Sequence, residues 1–476
     1  MTSKESSVRF GTSGVRGLVS DLSDDVCQLY VDAFLQKIVP MSKRIVLGCD
    51  LRDSSPRIVK ACAGAIHARG MNVLFVGALP TPALAYFALT EKIPAVMVTG
   101  SHIPFDRNGI KFYTSVGEIR KEDEIAITQA VTMNRINFIG YDPLQNLTIL
   151  SKALTLYKKR YTDFFPAYFL KGWRIGVYEH SSVARDFLSE LLSEFGADVV
   201  SLGRTDAFVP IDTEAVSESD QALGQKWAVE YRLDALLSTD GDADRPLIGD
   251  ETGNWLRGDI VGLLCAMYLN ADSIVTPVSS TTSIERCGAF SHAARTKIGS
   301  PYVIDEMEMC LKKGLSRVVG FEANGGFLVG DSFVRHGQQL SSLPTRDAVL
   351  PMLALLAFAK EKGVKLSQLT TSLPQRFTAS DRIENFPNES SRLLIAQLSS
   401  SNEAIQTLLG DMCGEIVTCN TTDGLRLTFD SDEIVHLRPS GNAPELRCYA
   451  EANSDCRAND LVKCILGDIA RLAASL

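Results

Sequence analysis

A potential nucleophile, an imidazole and a lysine lie within one turn-rich stretch, Thr99-Gly100-Ser101-His102-Ile103-Pro104-Phe105-Asp106-Arg107-Asn108-Gly109-Ile110-Lys111. A serine can attack or carry a phosphoryl or acyl group, and histidine and lysine can move protons or stabilise charge. Asn108-Gly109 is a typical turn dipeptide and predicts a return of the chain into a second strand. A plain surface turn is the simpler alternative. A Gly-x-Ser-x-Gly hydrolase elbow is disfavoured because Thr99 and Ile103 stand where glycine is required.

Three carboxylates at alternate positions form a second chemical motif, Asp240-Gly241-Asp242-Ala243-Asp244-Arg245. Side chains two residues apart in an extended segment project to the same side, and three hard oxygen ligands suit Mg²⁺. An EF-hand calcium loop is an alternative because Glu251 falls at the twelfth position. However, Arg245 replaces the glycine of position six, and an apolar strand precedes the motif. A solvated acidic turn is the remaining alternative.

Three further loops carry groups that bind anions or hydroxyls. Residues 10–17 form a glycine-rich loop in which Arg16 offers a planar fork to phosphate. In residues 321–327, Glu322 and Asn324 offer a carboxylate and an amide suited to vicinal hydroxyls, and a glycine-rich turn is the plainer interpretation. In residues 438–447, Arg438 and Arg447 bracket a turn whose backbone N–H groups favour an anion.

Alternating strand and helix patterns position these loops. The expected strands are 44–49, 71–76, 94–98, 173–178, 197–200, 233–238, 273–278 and 317–320, with a hairpin of 425–429 and 434–438. The expected helices are 23–38, 56–69, 82–89, 153–164, 182–195, 260–269, 282–287, 303–313, 344–360 and 459–473, and 367–376 is a connection. Ser101 therefore follows a buried strand, at the sheet edge where ligands bind in α/β proteins. The turn-rich residues 140–143 suggest a domain end near residue 146.

Composition excludes several functional classes. The 476 residues exceed one hydrophobic core, and 45% hydrophobic with 22% charged residues is typical of globular protein. A net charge of −9 provides no basic face for nucleic acid or anionic lipid. The 11 cysteines form no Cys-x-x-Cys pair, and residues 1–7 lack the apolar core of a signal peptide, so we expect a reducing cytoplasm. The apolar run 348–359 is too short for a membrane span and predicts a buried helix.

Taken together and in order, the loops resemble those of the α-D-phosphohexomutases, the phosphoglucomutase and phosphomannomutase family. Its motifs are Thr-x-Ser-His-x-Pro with Asn-Gly-x-Lys, Asp-Gly-Asp-x-Asp-Arg, a Gly-Glu-x-Ser-Gly sugar loop and Arg-x-Ser-Gly-x-x-Pro-x-x-Arg. The resemblance covers nearly the whole chain. It implies an α/β fold of four domains around a central cleft: three similar β/α domains and a smaller C-terminal α+β domain. We expect boundaries at 1–149 with the phosphoserine loop, 150–256 with the metal loop, 257–366 with the sugar loop and 367–476 with the phosphate loop.

The resemblance also implies an activity, the interconversion of hexose 1-phosphate and hexose 6-phosphate. A phosphoserine at Ser101 and a hexose 1,6-bisphosphate that also serves as activator would carry the phosphoryl group. The metal set for Mg²⁺ would be Ser101, Asp240, Asp242 and Asp244. His102, Lys111 and Arg16 would act beside Ser101, with Lys111 the proposed proton-transfer group if burial among cations lowers its pKa. The expected substrate contacts are Arg245, Glu322, Asn324, Arg438, Ser440, Asn442 and Arg447.

The sequence departs from the family at two positions. Gly326 and Ser300 stand where many relatives carry histidine, which leaves the acid and base groups and the preferred hexose open; His336 is a possible substitute. Mannose phosphate is the favoured substrate, with glucose phosphate or dual activity as the alternative. A metal-dependent phosphatase and a non-enzymatic sugar-phosphate or calcium-binding protein stay open as further alternatives. The expected partners are a phosphorylated hexose and, at most, a second copy of the chain, without nucleic acid or membrane.

Overall fold

The computed structural model describes residues 7–11, 14–133, 148–440 and 444–474. The expected turn at 140–143 and the domain end near residue 146 lie outside these ranges. The chain forms layers of helices around four main sheets, so the predicted α/β class is confirmed. In the part of the chain that is described, no helix has both the length and the apolar character needed to cross a membrane.

The first sheet holds the strand that precedes Ser101. Its strands run in the order β1-β2-β6-β5-β3-β4, with β7 on β6; β3, β4 and β5 are parallel, and β6 is antiparallel to β5. The strands are β1 (Arg9–Phe10), β2 (Val15–Leu18), β3 (Arg44–Cys49), β4 (Asn72–Ala78), β5 (Ala95–Val98), β6 (Arg107–Thr114) and β7 (Gly117–Glu118). The helices are α1 (Asp24–Lys37), α2 (Ser55–Ala68), α3 (Thr81–Glu91) and α4 (Lys121–Met133).

The second sheet repeats the pattern on a smaller scale. Its order is β11-β10-β8-β9, with β8, β9 and β10 parallel and β11 antiparallel to β10. The elements are α5 (Lys152–Thr162), β8 (Arg174–Tyr178), α6 (Arg185–Glu194), β9 (Asp198–Leu202), α7 (Glu218–Tyr231), β10 (Ala235–Thr239) and β11 (Pro246–Gly249).

The third sheet has the order β13-β12-β14-β15-β18, again with parallel strands followed by an antiparallel pair. Its strands are β12 (Ser273–Pro277), β13 (His292–Thr296), β14 (Val318–Phe321), β15 (Phe327–Val329) and β18 (Leu343–Asp347), and β16 (Phe333–Arg335) pairs with β17 (Gln338–Leu340). The helices are α8 (Gly258–Tyr268), α9 (Ser283–Arg286), α10 (Ser300–Lys312), α11 (Val349–Lys362) and α12 (Leu366–Thr371).

The last sheet is antiparallel throughout, in the order β19-β23-β22-β21-β20. Its elements are β19 (Phe377–Glu384), α13 (Asn388–Ser400), α14 (Asn402–Cys413), β20 (Ile416–Asn420), β21 (Leu425–Phe429), β22 (Ile434–Pro439), β23 (Glu445–Ala452) and α15 (Asp455–Ala474). This unit has a hydrophobic core of its own, whereas one continuous core joins α3, α5, α8 and α11 of the three preceding units.

Three of the motif loops occupy the same place in their sheets, between a buried strand and the antiparallel strand that follows. Residues 99–106 connect β5 to β6, residues 240–245 connect β10 to β11, and residues 322–326 connect β14 to β15. The phosphate loop begins at the end of β22, before β23. The predicted strands before the first three loops are confirmed. Their apolar runs are buried along their whole length, as expected of strands covered on both faces.

Three local predictions were wrong. Asn108-Gly109 is part of β6 and not a turn, because Asn108 directs its side chain to Gly109 N, Ser54 Oγ and Ser55 Oγ while the chain turns earlier, at Pro104 to Arg107. The helix expected over 344–360 starts later, because residues 344–347 belong to β18. The helix begins at Val349, whose N–H donates a hydrogen bond to Asp347 Oδ1 at 2.9 Å. The connection 367–376 contains most of α12. The buried helix expected over 348–359 is confirmed as α11.

Candidate functional site

Ser101 is held in an unusual backbone conformation at the start of its loop. It is fully buried and has φ 54°, which lies in the left-handed region that non-glycine residues rarely adopt. Its N–H donates to Thr99 Oγ1 at 2.8 Å, and Thr99 Oγ1 donates in turn to Asp50 Oδ2 at 2.7 Å. Strain of this kind persists only where the surroundings enforce it, and it is concentrated at functional sites.

The Arg52 guanidinium holds the rest of the serine loop. It donates hydrogen bonds of 2.6–3.0 Å to the backbone carbonyls of Ser101, Ile103, Pro104 and Arg107. A Cβ at Gly100 would lie 2.5 Å from Arg52 Cζ, so glycine is required there. The sequence interpretation did not identify Arg52 because its role is visible only once β3 is placed beside β5.

The structure brings the three aspartates together beneath Ser101. One carboxylate oxygen of each lies within 4.8 Å of the others, and all three side chains are buried. Ser101 Oγ donates to Asp240 Oδ2 at 2.6 Å. Burial raises the pKa of Asp240 well above its usual range, and the neighbouring Asp242 and Asp244 add to that shift. Such repulsion is relieved by a cation.

The donor set of this cluster fits a divalent metal ion. Asp242 Oδ2 accepts from Thr81 Oγ1 and Lys111 Nζ, both at 2.6 Å, and Asp244 Oδ2 accepts from Lys111 Nζ at 2.8 Å. The other oxygens of these two residues, Asp242 Oδ1 and Asp244 Oδ1, are buried without a hydrogen-bond partner among the described residues. Buried carboxylate oxygens of this kind are the ligands that Mg²⁺ takes.

The EF-hand alternative fails on geometry. Glu251 would have to complete the calcium site, but its carboxylate accepts a hydrogen bond from Ser367 Oγ at 2.5 Å, away from the aspartates. The motif also lies between two strands, β10 and β11, and not between two helices.

Lys111 lies between Asp242 and Asp244 and is buried. The expectation that its pKa would fall among cations is wrong. Although burial acts in the opposite direction, the two carboxylates raise the pKa of Lys111, so the ammonium keeps its proton. His102 differs, because burial lowers its pKa well below the usual value and Arg245 and Arg16 lower it further. The imidazole is therefore neutral at pH 7, with Nδ1 3.3 Å from Ser101 Oγ.

The sugar loop is tied to the metal loop by Arg346, a residue that the sequence interpretation missed. Arg346 donates to Asp244 Oδ2 through Nε at 3.1 Å and through a terminal nitrogen at 2.8 Å, and it donates to Glu322 Oε2 at 3.2 Å. A Cβ at Gly326 would lie 2.5 Å from Arg346 Cδ. Arg346 thus fills the space in which many relatives were expected to place a histidine. It was missed because residues 344–347 were assigned to a helix.

The phosphate loop faces the same cleft. A single cleft is lined by residues of all four main units: Arg16, His102, Asp212, Glu214, Arg245, Ile298, Glu322, Asn324, Arg346, Arg438, Ser440, Arg447 and Tyr449. Burial lowers the pKa of Arg16 to about 10, and the nearby Arg245 and Arg346 add to the shift. The Nε atoms of Arg16, Arg245, Arg438 and Arg447 are buried without a hydrogen-bond partner in the described part of the chain. The arrangement suits a ligand that carries phosphate.

Of the remaining residues discussed from the sequence, Asn442 lies outside the described residues, and two others lie away from the cleft. Ser300 Oγ donates to Glu118 Oε2 at 3.2 Å at the start of α10, and it does not line the cleft. His336 pairs with Glu361 at 3.1 Å on the exposed surface, so it does not replace a histidine in the cleft. The cleft residues that the sequence interpretation missed, besides Arg346, are Asp212, Glu214, Ile298 and Tyr449; only the polar loop after β9 offered a signal.

Comparison with known proteins gives concordant matches. Models of the phosphoglucomutase/phosphomannomutase family match three parts of the chain: α/β/α domain I over residues 7–137, α/β/α domain III over residues 257–377 and the C-terminal domain over residues 392–466. A phosphomannomutase of Salmonella muenchen is 47% identical over 471 residues, which is 98% of this chain and 96% of that protein. One of Sinorhizobium fredii (strain NBRC 101917 / NGR234) is 43% identical over 461 residues, covering 95% and 97%. A solved phosphoglucomutase/phosphomannomutase family protein from Burkholderia thailandensis superposes with a TM-score of 0.76 at 20% identity, covering 97% of this chain and 96% of that one.

Proposed function

The chain belongs to the phosphoglucomutase/phosphomannomutase family, and from this premise we propose that it interconverts mannose 1-phosphate and mannose 6-phosphate. The two relatives with 47% and 43% identity, both named phosphomannomutases, support the choice of hexose. The single observation that carries the proposal is the position of Ser101, bonded to Asp240 at the base of a cleft lined by arginines of separate units. A glucose 1-phosphate substrate is the second candidate, because the family to which the chain belongs also includes phosphoglucomutases.

The proposed reaction proceeds through a phosphoserine at Ser101. A hydroxyl oxygen of the hexose monophosphate forms a bond to the phosphorus while the bond from Ser101 Oγ to phosphorus breaks. The hydroxyl loses its proton to a base, for which we assign the neutral imidazole of His102, and the departing Ser101 Oγ takes up a proton from the same imidazole, whose Nδ1 lies 3.3 Å away. The resulting hexose 1,6-bisphosphate returns its other phosphoryl group to Ser101 Oγ, so enzyme and phosphate are conserved. The second transfer runs these steps in reverse. A catalytic amount of this bisphosphate would also phosphorylate Ser101 of an enzyme molecule that has lost its phosphate.

Charge stabilisation in this site comes from fixed groups. Lys111 and Arg346 hold the aspartates, while Arg16 and Arg245 face the transferring group, and such preorganised charges supply most of the catalysis in phosphoryl transfer. Asp240, Asp242, Asp244 and an oxygen on residue 101 would hold Mg²⁺, which supplies neutralisation of phosphoryl oxygen charge when bound. Arg438, Ser440, Asn442 and Arg447 would hold the phosphate that is not transferred, with Glu322 and Asn324 on the sugar.

The proposal also covers the domain boundaries, the cellular location and the oligomeric form. We assign domains to residues 1–149, 150–256, 257–366 and 367–476, which is supported by a separate sheet in each range. A cytoplasmic location is supported by the 11 cysteines, all of which are free thiols. A monomer or homodimer that binds a phosphorylated hexose, without nucleic acid, is the proposed form.

Phosphorus NMR tests the activity. The protein is incubated with Mg²⁺, a trace of hexose 1,6-bisphosphate, and mannose 1-phosphate or glucose 1-phosphate in parallel tubes. We expect conversion to the 6-phosphates, faster for mannose. Release of inorganic phosphate alone would indicate a phosphatase, and unchanged spectra would favour a binding protein.

Thermal melting with and without Mg²⁺ tests the metal site without turnover. A ligand that binds only the folded state stabilises it by about 2.7 kcal/mol at one hundred times its dissociation constant. We expect a higher melting temperature with Mg²⁺, reversal by a chelator, and no response in an Asp242→Asn variant. An equal response in that variant would contradict the assignment.

A further inference from the structure

The loop after β9 spans the cleft from the serine loop to the sugar loop. At one end, the Phe208 ring stacks on the Arg52 guanidinium, 3.8 Å from its central carbon. At the other end, Thr213 Oγ1 donates to the backbone carbonyl of Asn324 at 2.8 Å. Between them, Ile211 is buried in the core of the second unit. This loop is therefore held in place by a contact with Arg52 at one end and with the sugar loop at the other.

Two acidic residues of this loop line the cleft, and they differ in what they bind. Asp212 Oδ1 accepts hydrogen bonds from the N–H groups of Glu214 at 3.0 Å and Ala215 at 3.4 Å, so this carboxylate closes a turn. The carboxylate of Glu214 makes no hydrogen bond or ion pair within the described ranges of the chain. The buried Ile211 and Thr213 alternate with these two residues, which places Glu214 on the cleft side.

The surroundings of Glu214 are mostly cationic. Burial raises its pKa, Asp212 adds to this shift, and Arg245, Arg447 and Arg257 oppose it. Glu214 is partly buried at the wall of the cleft, and a ligand that covered its carboxylate without donating a hydrogen bond would cost free energy, so the position favours a ligand group that donates hydrogen bonds. A phosphate would be repelled, and Glu214 is not part of the aspartate cluster that fits a metal. Hydroxyl groups donate hydrogen bonds and carry no negative charge, so they are suitable ligands for Glu214.

The carboxylate that the sugar loop contributes to the cleft is already engaged. Glu322 Oε2 accepts from Arg346, so Glu322 keeps only part of its capacity for a ligand. We propose that Glu214 binds hydroxyl groups of the hexose phosphate and determines which hexoses the cleft accepts. The proposal rests on the proposed function, because it assumes a sugar phosphate in this cleft. It makes Glu214 a specificity residue supplied by the second unit, in addition to the sugar loop of the third.

Calorimetric binding tests the proposal independently of turnover. Mannose 6-phosphate, glucose 6-phosphate and inorganic phosphate are titrated into the wild type and the Glu214→Ala and Glu214→Gln variants. The control is Glu218→Gln, which removes the same charge from an exposed position at the start of α7. We expect Glu214→Ala to bind at least one sugar phosphate about tenfold more weakly and to change the ratio between the two hexoses. Inorganic phosphate should bind as tightly as before or more tightly.

The outcomes separate the two proposals. Equal weakening of all three ligands, or no change for either sugar, would overturn the role of Glu214. Unchanged affinities with a lower kcat in Glu214→Gln would also overturn it, because that result indicates proton transfer. Glu214→Gln keeps the shape of the side chain and covers the case in which the alanine variant does not fold. Failure of the proposed function is a distinct result, namely wild-type protein that binds sugar phosphates without converting them.

Discussion

The two ends of the cleft differ in how their buried charged groups are paired. At the transfer end, formed by Ser101, the three aspartates, Lys111 and Arg346, oppositely charged side chains are buried and bonded to one another. At the phosphate end, formed by Arg438, Ser440 and Arg447, guanidinium Nε atoms are buried without hydrogen-bond partners in the described part of the chain. The transfer end also rests on the core shared by three units, whereas the phosphate end belongs to the separate core of the fourth.

The difference indicates that the transfer end contributes to the stability of the fold and the phosphate end to the affinity for ligand. Charges that are compensated inside the protein hold catalytic groups in place, and removal of one leaves its partner buried and unpaired. Buried guanidinium Nε atoms that have no hydrogen-bond partner among the described residues gain one from a phosphorylated ligand. Substitutions at the transfer end should therefore reduce rate and stability, and substitutions at the phosphate end should reduce affinity.

Ser101→Ala gives the largest expected effect and defines the transfer end. Because Ser101 is the proposed carrier of the phosphoryl group, we expect kcat to fall by about 10⁴ or more, with hexose phosphate still bound. Steady-state kinetics and labelling of the protein with radioactive phosphate measure it. Ser399→Ala, at an exposed position of α13, is the control and should keep full activity. Labelling of the Ser101→Ala protein would contradict the assignment.

Arg346→Ala tests whether the transfer end stabilises the fold. It leaves Asp244 and Glu322 without this cation, and breaking a buried ion pair costs about 3–5 kcal/mol. Urea denaturation measures the loss. The matched control is Arg174→Ala, which removes an exposed pair with Asp198 and should cost no more than about 1 kcal/mol. Equal losses for the two variants would mean that the buried pairs do not stabilise the fold.

Arg447→Ala tests the phosphate end. The side chain is about one-third exposed and its ion pair with Glu445 is long at 3.4 Å, so the free energy of unfolding should change by less than about 1 kcal/mol. KM should rise by about ten- to one hundredfold, because a charge-assisted bond to phosphate is lost. Kinetics and urea denaturation on the same preparation measure both quantities. A large loss of stability with little change in KM would reverse the comparison.

The smallest expected effect comes from a buried histidine that lies near each end of the cleft. Burial lowers the pKa of His180, near the transfer end, and of His436, near the phosphate end, to about 4. Both are neutral when folded, so the unfolded chain binds more protons below pH 6.5, and stability is lost as the pH falls from 6.5 toward 4. We expect each to contribute about 1 kcal/mol of loss between pH 7 and pH 5.5.

The variant His180→Asn isolates this contribution. Asparagine tolerates the positive φ of 26° at this position and does not titrate. Its amide is too short to replace the hydrogen bond from His180 Nε2 to the Thr239 carbonyl at 2.9 Å, and that loss is the same at both pH values. Chemical denaturation at pH 7 and pH 5.5 should show a smaller decrease than in the wild type. An identical decrease would mean that His180 does not titrate on unfolding.

The candidate site was predictable where its residues are contiguous and was not where they come together only in the fold. Ser101, the aspartates, Glu322 and Arg438 stand in loops whose composition indicates chemistry, and each follows a strand with a clear apolar pattern. Arg52 and Arg346 stand outside the motif loops, so no nearby motif marks them, and Glu214 was indicated only by the polar composition of the loop after β9. Lys111 was identified, but its pKa was predicted in the wrong direction because its partners lie more than 100 residues away.

The sequence by itself determined the α/β class, the strands that end in motif loops, the order of those loops and the family to which they belong. These follow from local periodicity and from contiguous residue types, which act through neighbours along the chain. Only the tertiary structure decided which oxygens of Asp242 and Asp244 lack a hydrogen-bond partner among the described residues, why Gly326 has no room for a side chain and which carboxylate of the cleft makes no ion pair there. Those properties depend on distances between separate units, because burial and pairing are set by whatever the fold brings within a few ångströms.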